Sequence, residues 1–221
     1  MSSVRHAIYW VPEGDLADWG ARWLGWDPRA GRERPHPDPA LGALTEEPRR
    51  YGLHATLKAP FRLTEGHAEA DLEQAIAALA ARLAPAQAPG LVLARIGRFL
   101  ALVPEGDTGP IDALAAACVT GLDAFRAALT DADLARRRAA GLDPQEESHL
   151  LRWGYPHVLD RFRFHVTLTG PLDEAQEEAA RALLDRHPPP LPRPFRLAAL
   201  GHVVQGPDGR FRLRHRYALS G

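Results

Sequence analysis

The sequence is short of cysteine, of lysine and of net charge. Its one cysteine, Cys118, excludes an internal disulfide and is typical of a protein kept in a reducing compartment. The 27 basic residues nearly balance the 28 acidic ones, for a formal net charge of -1. No broad electrostatic attraction to nucleic acid or to an anionic membrane follows from such a balance.

Long apolar runs are missing as well. The first residues, MSSVRHAIYW, do not form the apolar core of a signal peptide, and no run approaches the roughly 20 apolar residues of a membrane helix. These features predict a cytoplasmic location and no membrane partner. The chain of 221 residues is 45% hydrophobic, which suffices for the core of one large domain or two small lobes.

A near-repeat dominates the rest of the chain. YGLHATLKAPFRL (51–63) and FRFHVTLTGPL (162–172) share His-x-Thr-Leu-x-x-Pro, with the histidines 111 residues apart. Each copy precedes a helix-like segment (69–83 and 173–187) and then an apolar strand (91–99 and 195–203). Three matched elements in the same order indicate an internal duplication.

Strand and helix patterns also precede each copy, at 4–12 and 16–26 in the first half and at 99–104 and 111–129 in the second. Each half is therefore predicted to be β-α-β-α-β, and the fold an α+β domain with a sheet and helices built twice. We expect one bilobal domain over 1–221, with halves of roughly 1–98 and 99–221. The last residues predict a hairpin with PDG as its turn.

Two segments lie outside the repeat. Residues 27–50 are rich in proline, glycine and charge, and residues 131–161 look like a charged helical insertion. Both segments are predicted to be connectors. The sequence does not decide against the alternative that either of them acts as a lid.

The polar positions of the repeated motif point to chemistry. Alternate residues of a strand face the same side, about 7 Å apart. One face would carry His54, Thr56 and Lys58, the only lysine of the chain. The other copy would present Arg163, His165, Thr167 and Thr169. If the halves are related by pseudo-twofold symmetry, both faces meet in one cleft, with two imidazoles on a shared substrate atom.

Two histidines so placed suit phosphodiester chemistry without a metal. An imidazole titrates near pH 6.5, so one can accept a proton while the other donates one. The catalytic residues are therefore predicted to be His54, Thr56, His165 and Thr167, the threonines donating to phosphate oxygens. Lys58 and Arg163 are predicted to bind the substrate by neutralising its charge. Tyr9 and Tyr155 are weaker candidates, because core packing explains them equally well.

Other chemistries lack their signatures. No H-E-x-x-H cluster, G-x-S-x-G run or P-loop occurs, so no metal ligand and no cofactor is predicted. Cys118 lies in an alanine-rich helical segment and is predicted to be a core residue rather than a nucleophile.

The complete motifs HATL (His54, Thr56) and HVTL (His165, Thr167) make the sequence resemble the 2H phosphoesterase superfamily. That resemblance implies a bilobal duplicated 2H phosphoesterase (LigT-like) fold: two antiparallel-sheet lobes with helices on the outside and a central cleft. It also implies metal-independent hydrolysis of cyclic phosphodiesters. The stretches RHAIYWVPEGDLADWGARWLGWDPRAG, RYGLHATLKAPFRL and GYPHVLDRFRFHVTLTGPL are similar to the branch associated with phosphonate metabolism. This branch implies a small ribosyl substrate such as 5-phosphoribosyl 1,2-cyclic phosphate.

Two alternatives remain open on the sequence. One is an enzyme of RNA ends, a 2′,3′-cyclic phosphodiesterase or a 2′-5′ RNA ligase-like activity. The other is a module that binds nucleotides or RNA without turnover. The sequence leaves undecided which histidine is the acid, which ester bond breaks and what the oligomeric state is.

Overall fold

The computed structural model describes residues 4–139 and 141–221. Its strands are β1 (His6–Trp10), β2 (Trp26–Asp27), β3 (Arg32–Glu33), β4 (Ala55–Phe61), β5 (Ala86–Ala88), β6 (Leu91–Ile96), β7 (Phe99–Pro104), β8 (Val166–Thr167), β9 (Phe195–Leu197), β10 (Ala199–Gln205) and β11 (Phe211–Ala218). Its α-helices are α1 (Gly14–Leu24), α2 (Leu41–Leu44), α3 (Glu46–Arg49), α4 (Glu69–Ala80), α5 (Gly109–Gly121), α6 (Asp131–Arg138), α7 (Pro144–Trp153) and α8 (Glu174–Arg186).

Two antiparallel sheets organise the domain. The larger has the strand order β11-β10-β1-β4, and the smaller has the order β6-β7-β8. Every residue of β1 is buried, because this strand is central and covered on both faces. One face carries Ile8 and Trp10 into the main core, while Tyr9 lies in a second apolar cluster on the other face.

The sheets do not coincide with the repeat. Strands β10 and β11 come from the second half of the sequence but pair beside β1, and β6 from the first half pairs with β7. A short ladder between β5 and β9 also joins the halves. The halves of roughly 1–98 and 99–221 therefore exchange their last strands, and neither half contains the whole of one sheet.

The helices complete an α+β fold and confirm the predicted class. Helix α5 packs on β4, and α4 packs on β10 and β11. The buried side of α4 consists of Leu72, Ile76, Leu79 and Ala80, at the spacing of one helical face. Across the described ranges, no helix combines the length and the apolar character needed to cross a membrane.

The insertion contains two helices, α6 and α7, as its composition predicts. Thr130 caps α6 by accepting from the Asp133 amide, and Asp143 caps α7 by accepting from the amides of Gln145 and Glu146. Gly154 ends α7 in the left-handed conformation that favours glycine. These caps fix the segment as a defined part of the cleft wall.

Candidate active site

The two motifs line one cavity. It has a volume of about 580 Å³, and its walls include His54 and Thr56 from the first motif and His165 and Thr167 from the second. The motifs come from different sheets, since His54 directly precedes β4 and His165 directly precedes β8. The cavity is thus lined by residues from both sheets.

The two imidazoles are oriented in the same way. The Nδ1 atom of His54 lies 2.9 Å from the carbonyl oxygen of Gly52, and that of His165 lies 2.7 Å from the carbonyl oxygen of Arg163. Each partner stands two residues before its histidine. Because a carbonyl oxygen only accepts, Nδ1 carries the proton in both rings. The Nε2 atom of each neutral imidazole is left as a proton acceptor.

His54 is the more enclosed histidine. Its ring stacks on Tyr9 with centroids 4.0 Å apart, and Tyr51 lies 5.5 Å away on the centroid measure. Burial lowers the pKa of His54 to about 4; the Gly52 carbonyl opposes this shift, and the charge of His165 adds to it. The Thr56 hydroxyl lies 3.3 Å from Nε2. This ring is therefore neutral at pH 7 and has a hydroxyl beside its free nitrogen.

His165 has a looser environment. Its closest aromatic neighbour is Phe99, with ring centroids 5.8 Å apart. Burial lowers the pKa of His165 from its usual value; the Arg163 carbonyl raises it, and the charges of Arg163 and His157 lower it further. Both imidazoles line the same cavity, and the charge of His165 is one of the effects that lower the pKa of His54.

Lys58 does not reach the cleft, contrary to the prediction. Tyr9 pairs with Thr56, but the next residue back, Ile8, pairs with Lys58 rather than with Leu57. This β-bulge adds one residue to β4 and turns Lys58 to the core side. Its ammonium group donates to the Val119 carbonyl at 2.9 Å.

A buried ion pair completes the surroundings of Lys58. Its Nζ lies 3.5 Å from Oδ1 of Asp123, which also binds Arg126 at 2.8 Å. Burial lowers the pKa of Lys58 to about 8, against the opposing effect of Asp123. Lys58 is thus a structural contact between β4 and the end of α5.

We expect Lys58→Met to separate stability from activity. The variant loses the bond to Val119 and should lower the free energy of unfolding by about 1–3 kcal/mol, as measured by urea denaturation. Its kcat/KM on a cyclic phosphate should stay within about threefold of wild type. Thr56→Ala, two residues away but in the cleft, should instead lower kcat by about 10²-fold. Equal losses of activity in both variants would contradict this placement of Lys58.

Arg163 also lies away from the cleft. Its side chain is exposed in a separate depression beside β6 and β7. The predicted alternation fails because only Val166 and Thr167 of this stretch join the sheet. Thr169 is fully buried, where its hydroxyl accepts from the Leu100 amide at 3.0 Å and donates to the Gly170 carbonyl at 2.9 Å. Thr169 borders the cavity as His165 and Thr167 do, but its hydroxyl is engaged by these two backbone groups.

The sequence reasoning missed the positive charge of the cleft. Four arginines line it: Arg5, Arg50, Arg136 and Arg137. Residues 136–138 form an arginine run in the insertion, and this run is the sequence feature that indicates a positively charged surface. The segment was instead predicted to be a connector. Tyr9 and Tyr155, the weaker candidates, also line the cleft, together with Tyr51. Glu47, Pro48 and Arg50 contribute to the wall from the other insertion.

Two further groups lie outside the cleft. Cys118 is fully buried, and burial raises the pKa of its thiol to about 12, which confirms a core role. Within the described residues, His6, Glu69 and His202 form a group whose donor atoms lie within 4.8 Å of one another. None of these three lines the cleft.

Comparison with solved structures returns weak similarity. A structure of E. coli LigT complexed with 3′-AMP aligns over 100% of both chains with 16% identity and a TM-score of 0.48. A structure described as a phosphoesterase aligns over 98% of this chain and 99% of that chain, with 15% identity and a TM-score of 0.45.

Curated relatives are more similar in sequence. A ribose 1,5-bisphosphate phosphokinase PhnN of Janthinobacterium sp. (strain Marseille) is 40% identical over 191 residues, covering 80% of this chain and 41% of that protein. A protein of the same name from Laribacter hongkongensis (strain HLHK9) is 38% identical over 180 residues, covering 77% of this chain and 41% of its own length. The chain thus spans about two fifths of the relatives it matches.

A family model covers most of the chain. The model is described as "Protein of unknown function (DUF1045)" and matches residues 56–212. This range includes strand β4 from Thr56 onward, both insertion helices α6 and α7, and the whole second motif. The chain therefore belongs to the DUF1045 family.

Proposed function

We propose that this protein is a metal-independent cyclic phosphodiesterase that opens a small ribosyl cyclic phosphate. The observation that carries the proposal is the pair of imidazoles on one cavity, each with Nδ1 bound to the carbonyl two residues back. The two Nε2 atoms, one on each motif, can accept and donate a proton at a single phosphorus atom once one of the rings is protonated. The resemblance to the 2H phosphoesterases supports the same chemistry.

The environments assign the two roles. His54 has the strongly lowered pKa and stays neutral, so its Nε2 is the general base. His165 is less enclosed, and a bound phosphate anion would raise its pKa toward the protonated form. In the proposed reaction, His54 takes a proton from water as the water oxygen attacks phosphorus. The bond between phosphorus and the leaving oxygen of the cyclic phosphate breaks, and that oxygen takes the proton of His165. Exchange with solvent then restores both rings.

The threonines and the arginines stabilise charge in this scheme. Thr56 and Thr167 stand on the cleft beside their histidines and can donate to the two non-bridging oxygens. Donors fixed in a low-dielectric cleft commonly contribute about 10²–10³-fold to kcat. The arginines of the wall supply the positive field that Lys58 was predicted to give.

The name of the curated relatives suggests the sugar. Both relatives are named for ribose 1,5-bisphosphate, although this chain spans only 41% of each. Opening 5-phosphoribosyl 1,2-cyclic phosphate between phosphorus and the 2-oxygen would yield ribose 1,5-bisphosphate. We therefore propose this cyclic phosphate as the substrate and a place in phosphonate metabolism for the reaction.

Phosphorus NMR tests the activity directly. Purified protein is incubated with 5-phosphoribosyl 1,2-cyclic phosphate, with a nucleoside 2′,3′-cyclic phosphate and with an RNA ending in a 2′,3′-cyclic phosphate, each with and without EDTA. We expect fastest conversion of the ribosyl substrate to a phosphomonoester, at equal rates in EDTA. The protein with both His54 and His165 changed to alanine is the control for contaminating enzymes.

Each other outcome selects another function. Faster opening of the RNA terminus would favour the RNA-end enzyme. Tight binding of a cyclic phosphate without product after long incubation would favour the non-catalytic module. Loss of turnover in EDTA that returns with added metal would contradict the metal-independent mechanism.

A further inference from the structure

A cluster of guanidinium groups forms one end of the cleft. Arg5 precedes β1, and Arg136 and Arg137 stand in the last turn of α6. Together with Tyr155 they line both the main cavity and a narrow recess beside it, so they form the wall between the two. Arg5 and Arg136 line the same two cavities as Arg137, and their charges lower the pKa of Arg137.

Arg137 lacks a partner within the described part of the chain. Its guanidinium makes no hydrogen bond or ion pair there, and its Nε is buried without an acceptor. The guanidinium lies over the ring of Tyr155, with Cζ 4.5 Å from the centroid. The next residue, Arg138, lies outside the cleft and binds Glu147 through its Nε at 3.0 Å. The last turn of α6 therefore carries two paired arginines, Arg136 and Arg138, and one unpaired arginine, Arg137.

The neighbouring charges do not compensate Arg137. Arg5 donates from Nε to the Gln205 side chain at 2.7 Å and has no carboxylate partner among the residues that the structure describes. Arg136 pairs with Asp133 at 2.9 Å, but that carboxylate also binds Arg62. Burial and the charges of Arg136 and Arg5 lower the pKa of Arg137, while Tyr155 and Asp133 oppose this. Holding such a group without a counter-charge is costly unless a ligand supplies it.

We propose that Arg137, Arg5 and Tyr155 form a subsite for a second phosphate group of the substrate, separate from the phosphorus at the histidines. The planar guanidinium fork binds phosphate oxygens in pairs, and the Tyr155 hydroxyl adds a donor. This inference rests on the proposed function. It narrows the substrate class to sugar cyclic phosphates that bear a terminal phosphate monoester.

The subsite and the reacting centre share a connected wall. Tyr9 stacks on His54 and lies against Thr56, and its phenol also interacts electrostatically with Arg5 and Tyr155. One tyrosine thus borders both regions. A cavity of about 580 Å³ has room for a pentose between two phosphate groups.

Matched substrates and variants test the subsite. The kcat/KM of wild type, Arg137→Gln, Arg137→Lys and Arg138→Gln is measured on 5-phosphoribosyl 1,2-cyclic phosphate and on ribose 1,2-cyclic phosphate. We expect wild type to prefer the substrate with the terminal phosphate by at least about 10²-fold. Arg137→Gln should lower kcat/KM on that substrate by about 10- to 100-fold and change the other by less than about threefold. Arg137→Lys should recover part of the loss, and Arg138→Gln should match wild type.

A binding measurement keeps the subsite testable without turnover. Ribose 5-phosphate is titrated calorimetrically into wild type, Arg137→Gln and Arg138→Gln, and only Arg137→Gln should weaken binding, by at least about tenfold. If wild type hydrolyses both substrates equally and this titration shows no effect of Arg137→Gln, the subsite is wrong while the proposed function stands. If no cyclic phosphate is hydrolysed but Arg137→Gln alone weakens binding, the proposed function fails and the anion site stands.

Discussion

Replacing either cleft histidine by alanine is expected to lower kcat on the cyclic phosphate by about 10³-fold. A positioned general acid or base contributes about 10²–10⁴-fold, and His54 and His165 each hold one of these roles in the proposed reaction. Neither change should unfold the protein, because both rings lie on the cavity rather than within the main core. Initial rates by phosphorus NMR or a coupled phosphate assay, with circular dichroism of each variant, provide the measurement.

The double variant sharpens this prediction. Acid and base act in one transition state, so His54→Ala with His165→Ala should lose little more than the worse single variant. His215→Ala is the control, because His215 is exposed on β11 and does not line the cleft. A single variant that keeps more than about a tenth of wild-type kcat would remove its histidine from the mechanism.

The sequence alone predicts the main strands and helices, and it predicts that the two motif histidines lie on one cleft. Predicted strands at 4–12, 91–99 and 99–104 correspond to β1, β6 and β7, and predicted helices at 69–83 and 173–187 correspond to α4 and α8. These segments combine a clear hydrophobic period with end signals, which act locally. The repeated His-x-Thr then links two distant points of the chain, because a duplicated framework places equivalent residues at equivalent positions.

Side-chain direction beyond the motif could not be predicted in the same way. The period of two assumes an unbroken ladder, yet a bulge in β4 turns Lys58 inward, and β8 ends at Thr167 before Thr169. A bulge depends on pairing with a neighbouring strand, and that pairing is not encoded in the strand's own pattern. An error of one residue is enough to move a charge from the cleft to the core.

The exchange of strands between the halves could likewise not be predicted from the sequence pattern. β10 shows the same local pattern whether it pairs within its own half or beside β1. The arginine wall depends on the same tertiary arrangement, since Arg5 and Arg137 are 132 positions apart and belong to no repeated motif. Such a site is recognisable only when unpaired charges are seen together in space.

Trp23 should contribute more than any other side chain to the contact between helix α1 and the end of strand β8. It is fully buried in α1 and stacks on Trp19 with ring centroids 5.1 Å apart. Its indole N–H donates to the Leu168 carbonyl at 2.9 Å, directly after Thr167 of the second motif. Helix α1, from the first half of the sequence, therefore contacts the end of strand β8, which carries Thr167 next to His165.

We expect Trp23→Ala to lower the free energy of unfolding by about 3–5 kcal/mol, because it removes a large buried ring and leaves a cavity. Trp23→Phe keeps most of the apolar contact but leaves the Leu168 carbonyl without its donor, at a cost of about 1–3 kcal/mol. Urea denaturation gives both values, with Leu151→Ala as the control at a position that is 60% exposed. Because the lost bond adjoins Thr167, Trp23→Phe should also lower kcat by more than Leu151→Ala does. If both tryptophan variants unfold at the wild-type urea concentration, the contact between Trp23 and Leu168 does not stabilise the protein.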